Sequence, residues 1–241
     1  VLTAVGLVAL AACSGDRDDN TSNGPQSTTI TDLVVDSPVE PDSLDPFYRN
    51  TAEAQRFYRL TYSSLLKWNE DGSLAPDLAT ELPEVSADGL TWTIKLRSGV
   101  TFHDGSPLTA EDVVFTFETA KNPENGSVWL SALQYMKSIT AVDPTTVVLT
   151  LTEPYAYMSS RLAMIPILAN EKPYKVNDTY ATSENGSGPY TLAELKRGDL
   201  IKLERNPNYY GEEPPFKTIT LKVVPEDASR IARLLNGESH I

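Results

Sequence analysis

The chain of 241 residues contains one cysteine and two histidines. A single cysteine excludes a disulfide within the chain. Several histidines, or cysteine and histidine together, are the usual ligands of a transition-metal site, and no such cluster exists here. The sequence also lacks the G-x-S-x-G and H-E-x-x-H motifs of common hydrolases. These absences argue against a disulfide framework, a directly bound transition metal and the usual hydrolytic enzymes.

Basic residues are scarce as well, with 20 Lys and Arg against 33 Asp and Glu and a net charge of -13. Nucleic-acid binding needs clustered basic side chains to neutralise phosphates, and the chain has no such cluster. The acidic excess most simply supports solubility. With 40% hydrophobic residues, the chain can bury the core of one large domain or two small ones.

The N-terminal residues resemble the end of a bacterial lipoprotein signal peptide. Val1 to Leu10 is apolar apart from Thr3, and it is shorter than the roughly 20 residues that span a bilayer. Leu10-Ala11-Ala12-Cys13 matches a lipobox, which places a lipid on the Cys13 thiol and cleavage just before it. Because the charged leader and the initiator Met are missing, we expect the chain to begin inside its reading frame. The alternative is a buried N-terminal strand that happens to contain a cysteine.

A polar stretch follows the lipobox. Residues 14–29, SGDRDDNTSNGPQSTT, include no large apolar side chain, so burial cannot offset the entropy of ordering them. We therefore predict a signal-peptide remnant at residues 1–13, a disordered tether at 14–29 and a globular part from residue 30. A flexible tether of this length reaches about 20–24 Å, which would let the globular part move just above a membrane.

Hydrophobic periodicity predicts a mixed succession of strands and helices in the globular part. The strict alternation from Leu90 to Arg97 indicates a half-buried strand. Thr109 with Asp112 is typical of a helix N-terminus, and we expect Val113, Phe117 and Ala120 on its buried face. The predicted strands are Ile30–Asp36, Leu90–Arg97, Ile139–Val142, Val147–Leu151, Tyr190–Leu195, Leu200–Glu204 and Ile219–Val223. We expect the third and fourth of these to form a hairpin around Asp143-Pro144, and the fifth and sixth to form another across Arg197-Gly198-Asp199.

Three further segments show helical spacing. In Ala52 to Trp68, the positions i, i+4, i+7 and i+8 are occupied by Tyr58, Tyr62, Leu65 and Leu66. Asn50 and Glu53 predict the N-terminal cap of this helix. Pro154 to Leu168 is predicted to be helical with a break near Pro166. The third helix, Asp227 to Leu235, closes at Gly237. Its side chains expected to face inward are Ala228, Ile231, Leu234 and Leu235.

Four stretches carry a resemblance to a known family. Leu74 to Glu118 contains GLTWTIKLRSGVTFHDGSPLTAEDVVFTFE and resembles the signature segment of the family 5 extracellular solute-binding proteins, the oligopeptide-, dipeptide- and nickel-binding receptors of ABC importers. Ser37 to Pro46 is similar to the family's P-x-x-LDP loop, and Gly186 to Gly211 to its GTGPY…RNPNYW segment. Glu226 to Ile241 is similar to a helix followed by a G-x-x-D-I/V strand, except that Ser239-His240 replaces the usual acidic residue.

The resemblance implies a mixed α/β, periplasmic-binding-protein-like fold of type II, cluster C. On that pattern, residues 30–66 and 186–241 form a discontinuous and incomplete lobe I, and residues 67–185 form an inserted domain II. It also implies that a second ligand-binding lobe and the return strand of lobe I lie outside this chain. We expect the isolated chain to be prone to aggregation for that reason, because an exposed sheet edge invites pairing.

In function, the resemblance implies a substrate-binding lipoprotein of an ABC importer that captures extracellular peptides and delivers them to the transmembrane permease subunits. It would be lipid-anchored outside the cytoplasm, in the periplasm or at the cell surface, with no cofactor, no resident metal and no catalysis. Three alternatives stay open: a binding protein for a nickel chelate, one for a sugar, and a peptide-sensing receptor without transport.

The candidate ligand-contacting residues lie in the loop after the first strand. The resemblance points to Val39, Glu40 and Pro41, for which an ordinary surface loop is the alternative, and to Tyr48, which could instead pack in the core. It favours a turn-forming role for Asp45 and Pro46, and a hinge or structural role for Gly188, Pro189 and Tyr190. His103, in FHDGSP, is expected to stabilise its turn.

Overall fold

The computed structural model describes residues 30–171 and 173–241, which form two four-stranded sheets, a short hairpin and four α-helices. In chain order the elements are β1 (Asp32–Ser37), α1 (Ala52–Thr61), β2 (Leu66–Trp68), β3 (Leu74–Pro76), β4 (Glu84–Val85), β5 (Thr91–Lys95), α2 (Ala110–Lys121), β6 (Met136–Asp143), β7 (Thr146–Leu151), α3 (Met158–Leu162), β8 (Tyr190–Lys196), β9 (Leu200–Arg205), β10 (Thr218–Val223) and α4 (Asp227–Leu235). Two 3₁₀ turns, Pro123–Asn125 and Leu130–Leu133, follow α2. The mixed α/β class predicted from the sequence is confirmed.

The first sheet joins the beginning of the chain to its end. Its strand order is β1-β10-β9-β8, with β1 parallel to β10 and the other pairs antiparallel. On the opposite edge of β1, His240 donates its N–H to the carbonyl of Val34 and Asp36 donates its N–H to the carbonyl of Ile241, each at 2.9 Å. Residues remote in sequence therefore border β1 on both sides.

The second sheet is antiparallel throughout, in the order β4-β5-β7-β6, and α2 packs against it. The predicted cap is confirmed, because the Thr109 N–H donates to Oδ2 of Asp112 at 2.7 Å. Val113, Phe117 and Ala120 are fully buried, as their spacing predicts. The predicted hairpins of β6 with β7 and of β8 with β9 are confirmed as well.

Helix α1 is shorter than its apolar spacing predicts. It ends at Thr61, because Tyr62 adopts an extended backbone with φ -116° and ψ 159°. Leu65 and Leu66 are completely buried, and β2, which begins at Leu66, pairs with β3. The helical prediction to Trp68 is therefore wrong, since an extended segment buries Leu65 and Leu66, the same residues that a helical repeat would bury.

The N-cap of α1 also differs from the prediction. Thr51, rather than Asn50, accepts a hydrogen bond from the N–H of Ala54. The side-chain Oδ1 of Asn50 instead accepts a hydrogen bond from the side-chain Nε2 of Gln55. Helix boundaries depend on which of two adjacent capping residues reaches the first turn, and composition does not distinguish them.

The predicted helix from Pro154 to Leu168 is mostly wrong, since only Met158–Leu162 is helical. Ile165, Ile167 and Leu168 are completely buried in a non-helical segment. The carbonyl of Ser63 accepts from the N–H of Ile167 at 2.9 Å. Tertiary burial and hydrogen bonds to remote residues replace the helical pattern in this segment.

Helix α4 has the predicted bounds, but its apolar side chains are not inward. Ile231 is 60% exposed, Leu234 51% and Leu235 81%, and Ala228 is exposed too. Periodicity reveals an apolar face without revealing what packs against it. Within residues 30–171 and 173–241, nothing covers this face of α4.

No helix in the described part of the chain has both the length and the apolar character needed to cross a membrane.

Candidate functional site

The loop after β1 is held in place by its own residues and by the turn between β8 and β9. The Ser37 hydroxyl donates to the carbonyl of Val39 at 2.8 Å. From the turn, a guanidinium N–H of Arg197 donates to the carbonyl of Pro41 at 2.9 Å. The Gly198 N–H donates to a carboxylate oxygen of Glu40 at 3.1 Å. The three predicted residues Val39, Glu40 and Pro41 therefore form one anchored segment.

This segment keeps two main-chain donors unpaired. Among the described residues, no acceptor lies in hydrogen-bonding position for the N–H of Val39 or of Glu40. Val39 is 52% exposed and Glu40 is partly buried, whereas Pro41 is buried, so the segment reaches the surface through its first two residues. Main-chain groups in this state can hydrogen-bond to an extended peptide in the manner of an added strand.

The cavity beside the segment is small. Val39, Glu40 and Pro41 line a space of about 20 Å³ together with residues of β1, β10 and α1. That volume holds about one water molecule, since a water needs roughly 10–15 Å³ measured in this way. The segment can therefore contact a ligand along its surface but does not enclose one.

Asp45 fixes the shape of the same loop. Its Oδ1 accepts from the Phe47 N–H and from the Tyr174 hydroxyl, each at 2.8 Å, and its Oδ2 accepts from the Asn177 N–H at 2.7 Å. Burial raises the pKa of Asp45, and the hydrogen bonds to the carboxylate oppose that shift. The carboxylate has no exposed surface, which agrees with its expected turn-forming role.

Tyr48 lies farther along the loop and is partly buried. The guanidinium carbon of Arg49 lies 4.7 Å from the centre of the Tyr48 ring, a cation–π contact. Tyr48 is not among the residues that line the cavity at Val39, Glu40 and Pro41. The structure therefore brings three of the four predicted residues together and separates the fourth.

A larger cavity of about 170 Å³ lies on the other side of α1, and sequence reasoning missed it. Gln55 and Arg59, four residues apart on α1, and Tyr62, which directly follows the end of the helix, contribute one wall. The full lining is Gln55, Tyr58, Arg59, Tyr62, Ser64, Leu66, Trp68, Asp77, Ala163, Met164 and Pro166. The walls combine apolar and aromatic side chains with the polar groups of Gln55, Arg59, Ser64 and Asp77. The apolar spacing of residues 52–68 predicts a helix and gives no indication of a cavity beside it.

The segment entering β8 packs closely against α1. A Cβ added to Gly186 would lie 1.9 Å from the carbonyl oxygen of Thr61, and one added to Gly188 would lie 2.5 Å from the carbonyl carbon. His103 joins this segment from the loop after β5, with Nδ1 2.6 Å from Glu184 Oε2. The FHDGSP turn is held by Asp104, whose carboxylate accepts from the Ser106 N–H at 2.8 Å. His103 therefore ties two segments together rather than stabilising its own turn.

Two further points concern lipid attachment and metal binding. Cys13, the predicted lipid attachment site, lies outside the described residues. Among residues 30–171 and 173–241, no group of three or more His, Cys, Asp or Glu side chains is arranged to hold a metal ion.

Comparison with known families gives one match that covers most of the chain. Residues 73–241 match the profile of the bacterial extracellular solute-binding proteins, family 5. Among curated proteins, Protein XP55 of Streptomyces lividans is 33% identical over 99% of this chain and 43% of its own length. The oligopeptide-binding protein AppA of Bacillus subtilis is 31% identical over 96% of this chain and 44% of its own length.

Solved structures agree with these matches. AppA in complex with a nonapeptide superposes with a TM-score of 0.81 and 29% identity, over 86% of this chain and 43% of the AppA chain. NikZ of Campylobacter jejuni in complex with Ni(L-His) superposes with a TM-score of 0.78 and 28% identity, over 88% of this chain and 42% of the NikZ chain. The chain thus spans less than half the length of the relatives it matches.

Proposed function

Because this chain belongs to the bacterial extracellular solute-binding proteins of family 5, we propose that it is the solute-capturing component of an ABC importer and that its solutes are peptides. In this role it binds without catalysis and delivers its ligand to the permease subunits. The likeness to AppA, which binds a nonapeptide in its solved complex, carries the choice of peptides.

The segment from Val39 to Pro41 supports a peptide ligand. Its two unpaired main-chain donors suit the carbonyl groups that every peptide offers, whatever its side chains. Arg197 and Gly198, in the turn between β8 and β9, already hold the segment in place, so little conformational entropy is lost when a ligand binds. Recognition of this kind favours peptides as a class rather than one sequence.

The proposed mechanism is closure of two lobes around the solute. A solute that contacts both lobes only in the closed form shifts the population toward closure by its difference in affinity. We assign residues 30–66 and 186–241 to one lobe and residues 67–185 to an inserted domain. In support, β1, β8, β9 and β10 share one sheet, while β4 to β7 share another.

A nickel chelate is the second candidate, and the likeness to NikZ favours it. The described residues include no ready-made metal cluster, but a chelate brings its own ligands to the metal. A sugar ligand, or a sensing role without transport, is less directly supported. Permease and ATPase genes beside this gene would favour import over sensing.

Anchoring belongs to the proposal as well. The lipobox at Leu10 to Cys13 would attach the protein by a lipid to the outer face of the cell membrane, and the polar residues 14–29 would act as the tether. Radiolabelled palmitate should appear in the wild-type protein and not in Cys13→Ala. Equal labelling of both would contradict lipid attachment at this residue.

Thermal shift on the complete gene product, with Cys13→Ala to remove the lipid, tests the choice of ligand. The panel contains di- to pentapeptides, nickel–histidine, and sugars. A ligand at a hundred times its Kd should stabilise the protein by about 2.7 kcal/mol. Shifts with peptides alone support a peptide importer, whereas a shift with the chelate or a sugar alone overturns the choice of solute.

A further inference from the structure

Two arginines of α1 differ from the other arginines of the described chain. Among residues 30–171 and 173–241, seven arginines make a side-chain hydrogen bond or an ion pair: Arg49, Arg97, Arg161, Arg197, Arg205, Arg230 and Arg233. Arg56 and Arg59 make neither, although acidic residues outnumber basic ones in the chain. Their guanidinium groups are therefore available to a ligand.

The two arginines lie beside different cavities. Arg59 lines the cavity of about 170 Å³, together with Gln55 and the aromatic side chains of Tyr58 and Trp68. Arg56 lines the space of about 20 Å³ beside Val39. Since roughly 10–15 Å³ holds one water, only the cavity at Arg59 has room for the end group of a solute.

The one carboxylate in the lining of this cavity does not neutralise Arg59. Asp77 accepts from the Tyr210 hydroxyl at Oδ1, at 2.7 Å, and from the Ser64 N–H at Oδ2, at 3.2 Å. It forms no ion pair with Arg59 within 4.0 Å, and burial raises the pKa of its carboxyl group. The cavity therefore keeps a cation whose charge is unpaired.

A simpler role for Arg59 is a favourable interaction with the helix dipole, because it lies in the last turn of α1. That role needs only a positive charge near the helix end. It would not require a cavity in front of the guanidinium, and it would not discriminate among solutes. A test must therefore measure discrimination between ligands rather than stability.

Building on the proposed function, we propose that Arg59 binds a carboxylate of the captured solute, which for a peptide is its C-terminus. A guanidinium presents two parallel N–H donors to one carboxylate, and such charge-assisted pairs are stronger than neutral hydrogen bonds. Tyr58, Trp68 and Met164 would pack against the apolar part of the same end residue. Peptides with a free C-terminus are then preferred over the same peptides blocked as amides.

Calorimetric titration of the complete gene product tests this preference. The probes are tri- to pentaalanine, each as free acid and as C-terminal amide, and nickel–histidine against nickel–histamine, which lacks the carboxylate. The variants are Arg59→Gln and, as a matched control, Arg56→Gln. Both remove one unpaired charge from α1, so a general effect of charge acts on both. Arg59→Lys keeps the charge without the two-donor geometry, and thermal melts confirm that each variant folds.

We expect the wild type and Arg56→Gln to bind the free acid about tenfold or more tightly than the amide, as a charge-assisted hydrogen bond predicts. In Arg59→Gln, the ratio of the affinity for the free acid to the affinity for the amide should be close to one. In Arg59→Lys, this ratio should lie between those of the wild type and Arg59→Gln. Arg59→Gln with an undiminished ratio, or an equal loss in Arg56→Gln, overturns the assignment.

The two proposals fail in different ways. If the wild type binds acid and amide equally, the carboxylate site is wrong while peptide binding stands. If only nickel–histidine binds, and Arg59→Gln abolishes its advantage over nickel–histamine, the carboxylate site stands and the peptide proposal is wrong. If no probe binds, both are overturned.

Discussion

The Nδ1 atom of His103 lies 2.6 Å from the Oε2 atom of Glu184, and both side chains are almost completely buried, at 6% and 4% exposure. The other ring nitrogen of His103 lies 3.1 Å from the carbonyl oxygen of Gly188. Glu184 also accepts the N–H groups of Gly186 and Leu192. This pair links the loop after β5 to the segment that leads into β8.

Removing His103 should destabilise the protein strongly. His103→Ala removes the side-chain hydrogen bond to the buried Glu184 carboxyl group, and a hydrogen bond to a charged group contributes about 1.5–3 kcal/mol. Lys95→Ala is the control, because it breaks an ion pair with Glu81 whose side chains are each 60% exposed, and such pairs contribute at most about 1 kcal/mol. Urea unfolding measures both. Similar losses in the two variants would mean that the buried pair contributes no more than a surface pair.

Gly186→Ala should be more damaging than alanine at an open glycine. The new Cβ would lie 1.9 Å from the carbonyl oxygen of Thr61, so the segment must move away from α1. We expect a loss of at least about 3 kcal/mol in the free energy of unfolding. Gly72→Ala, where φ is +81° and no atom lies within 4 Å, should cost only about 1–2 kcal/mol from backbone strain. Equal costs would show that the segment can shift freely.

Asp45 should make stability depend on pH in the direction opposite to most aspartates. Burial raises its pKa above 3.8, so the folded protein holds this proton more tightly than the unfolded chain does. The resulting stabilisation is complete below the unfolded pKa and is lost as pH rises through the folded pKa. The free energy of unfolding of the wild type minus that of Asp45→Asn should therefore fall as pH rises above the ordinary pKa of an aspartate, about 3.9.

Asp71→Asn provides the control with the opposite sign. Hydrogen bonds from Ser73 lower the pKa of Asp71, so its stabilisation is present above the unfolded pKa and is lost as pH falls. The free energy of unfolding of the wild type minus that of Asp71→Asn should therefore rise with pH. Urea titrations across the range measure both, and a flat difference for Asp45→Asn would show that its carboxyl group titrates alike in the folded and unfolded states.

Val39→Pro should weaken peptide binding with little effect on stability. Proline removes the unpaired N–H of Val39, and the loss of one hydrogen bond corresponds to a loss of about 2- to 12-fold in affinity. Val39→Ala shortens the exposed side chain but keeps the N–H, so it should bind almost as the wild type does. Calorimetry with the alanine peptides measures both variants. If Val39→Pro binds as tightly as Val39→Ala, the main chain of residue 39 does not contact the ligand.

Local patterns predicted the local structure well. The pairing of Thr109 with Asp112 placed the start of α2, and strict alternation placed β5. Turn residues between alternating runs located the β6–β7 and β8–β9 hairpins. Each of these signals depends on residues close together in sequence, whose interactions persist in almost any tertiary surrounding.

Apolar spacing failed where distant contacts determine the backbone. Residues 62–68 leave the helix because Leu66 begins β2, which pairs with β3. Ile165 and Ile167 are buried without a helix, because the surrounding segments enclose them. Periodicity indicates which residues prefer burial, and several backbone conformations satisfy the same preference.

The candidate site divides in the same way. The segment from Val39 to Pro41 was found through resemblance, because its residues are consecutive in the chain. The cavity at Arg59 was not, because its walls come from α1, from residues 64–77 and from residues 163–166. A site assembled from three separate segments has no contiguous signature in the sequence.

The sequence by itself determined the family, the mixed α/β class and the caps, turns and alternation of individual elements. Only the tertiary structure decided that β1 lies beside β10, that the apolar face of α4 is exposed, and that Arg59 has no acidic partner within the part of the chain that the structure describes. The physical reason is the range of the interactions. Caps and turns depend on neighbouring residues, whereas strand pairing, burial and the pairing of charges depend on residues that folding brings together from distant parts of the chain.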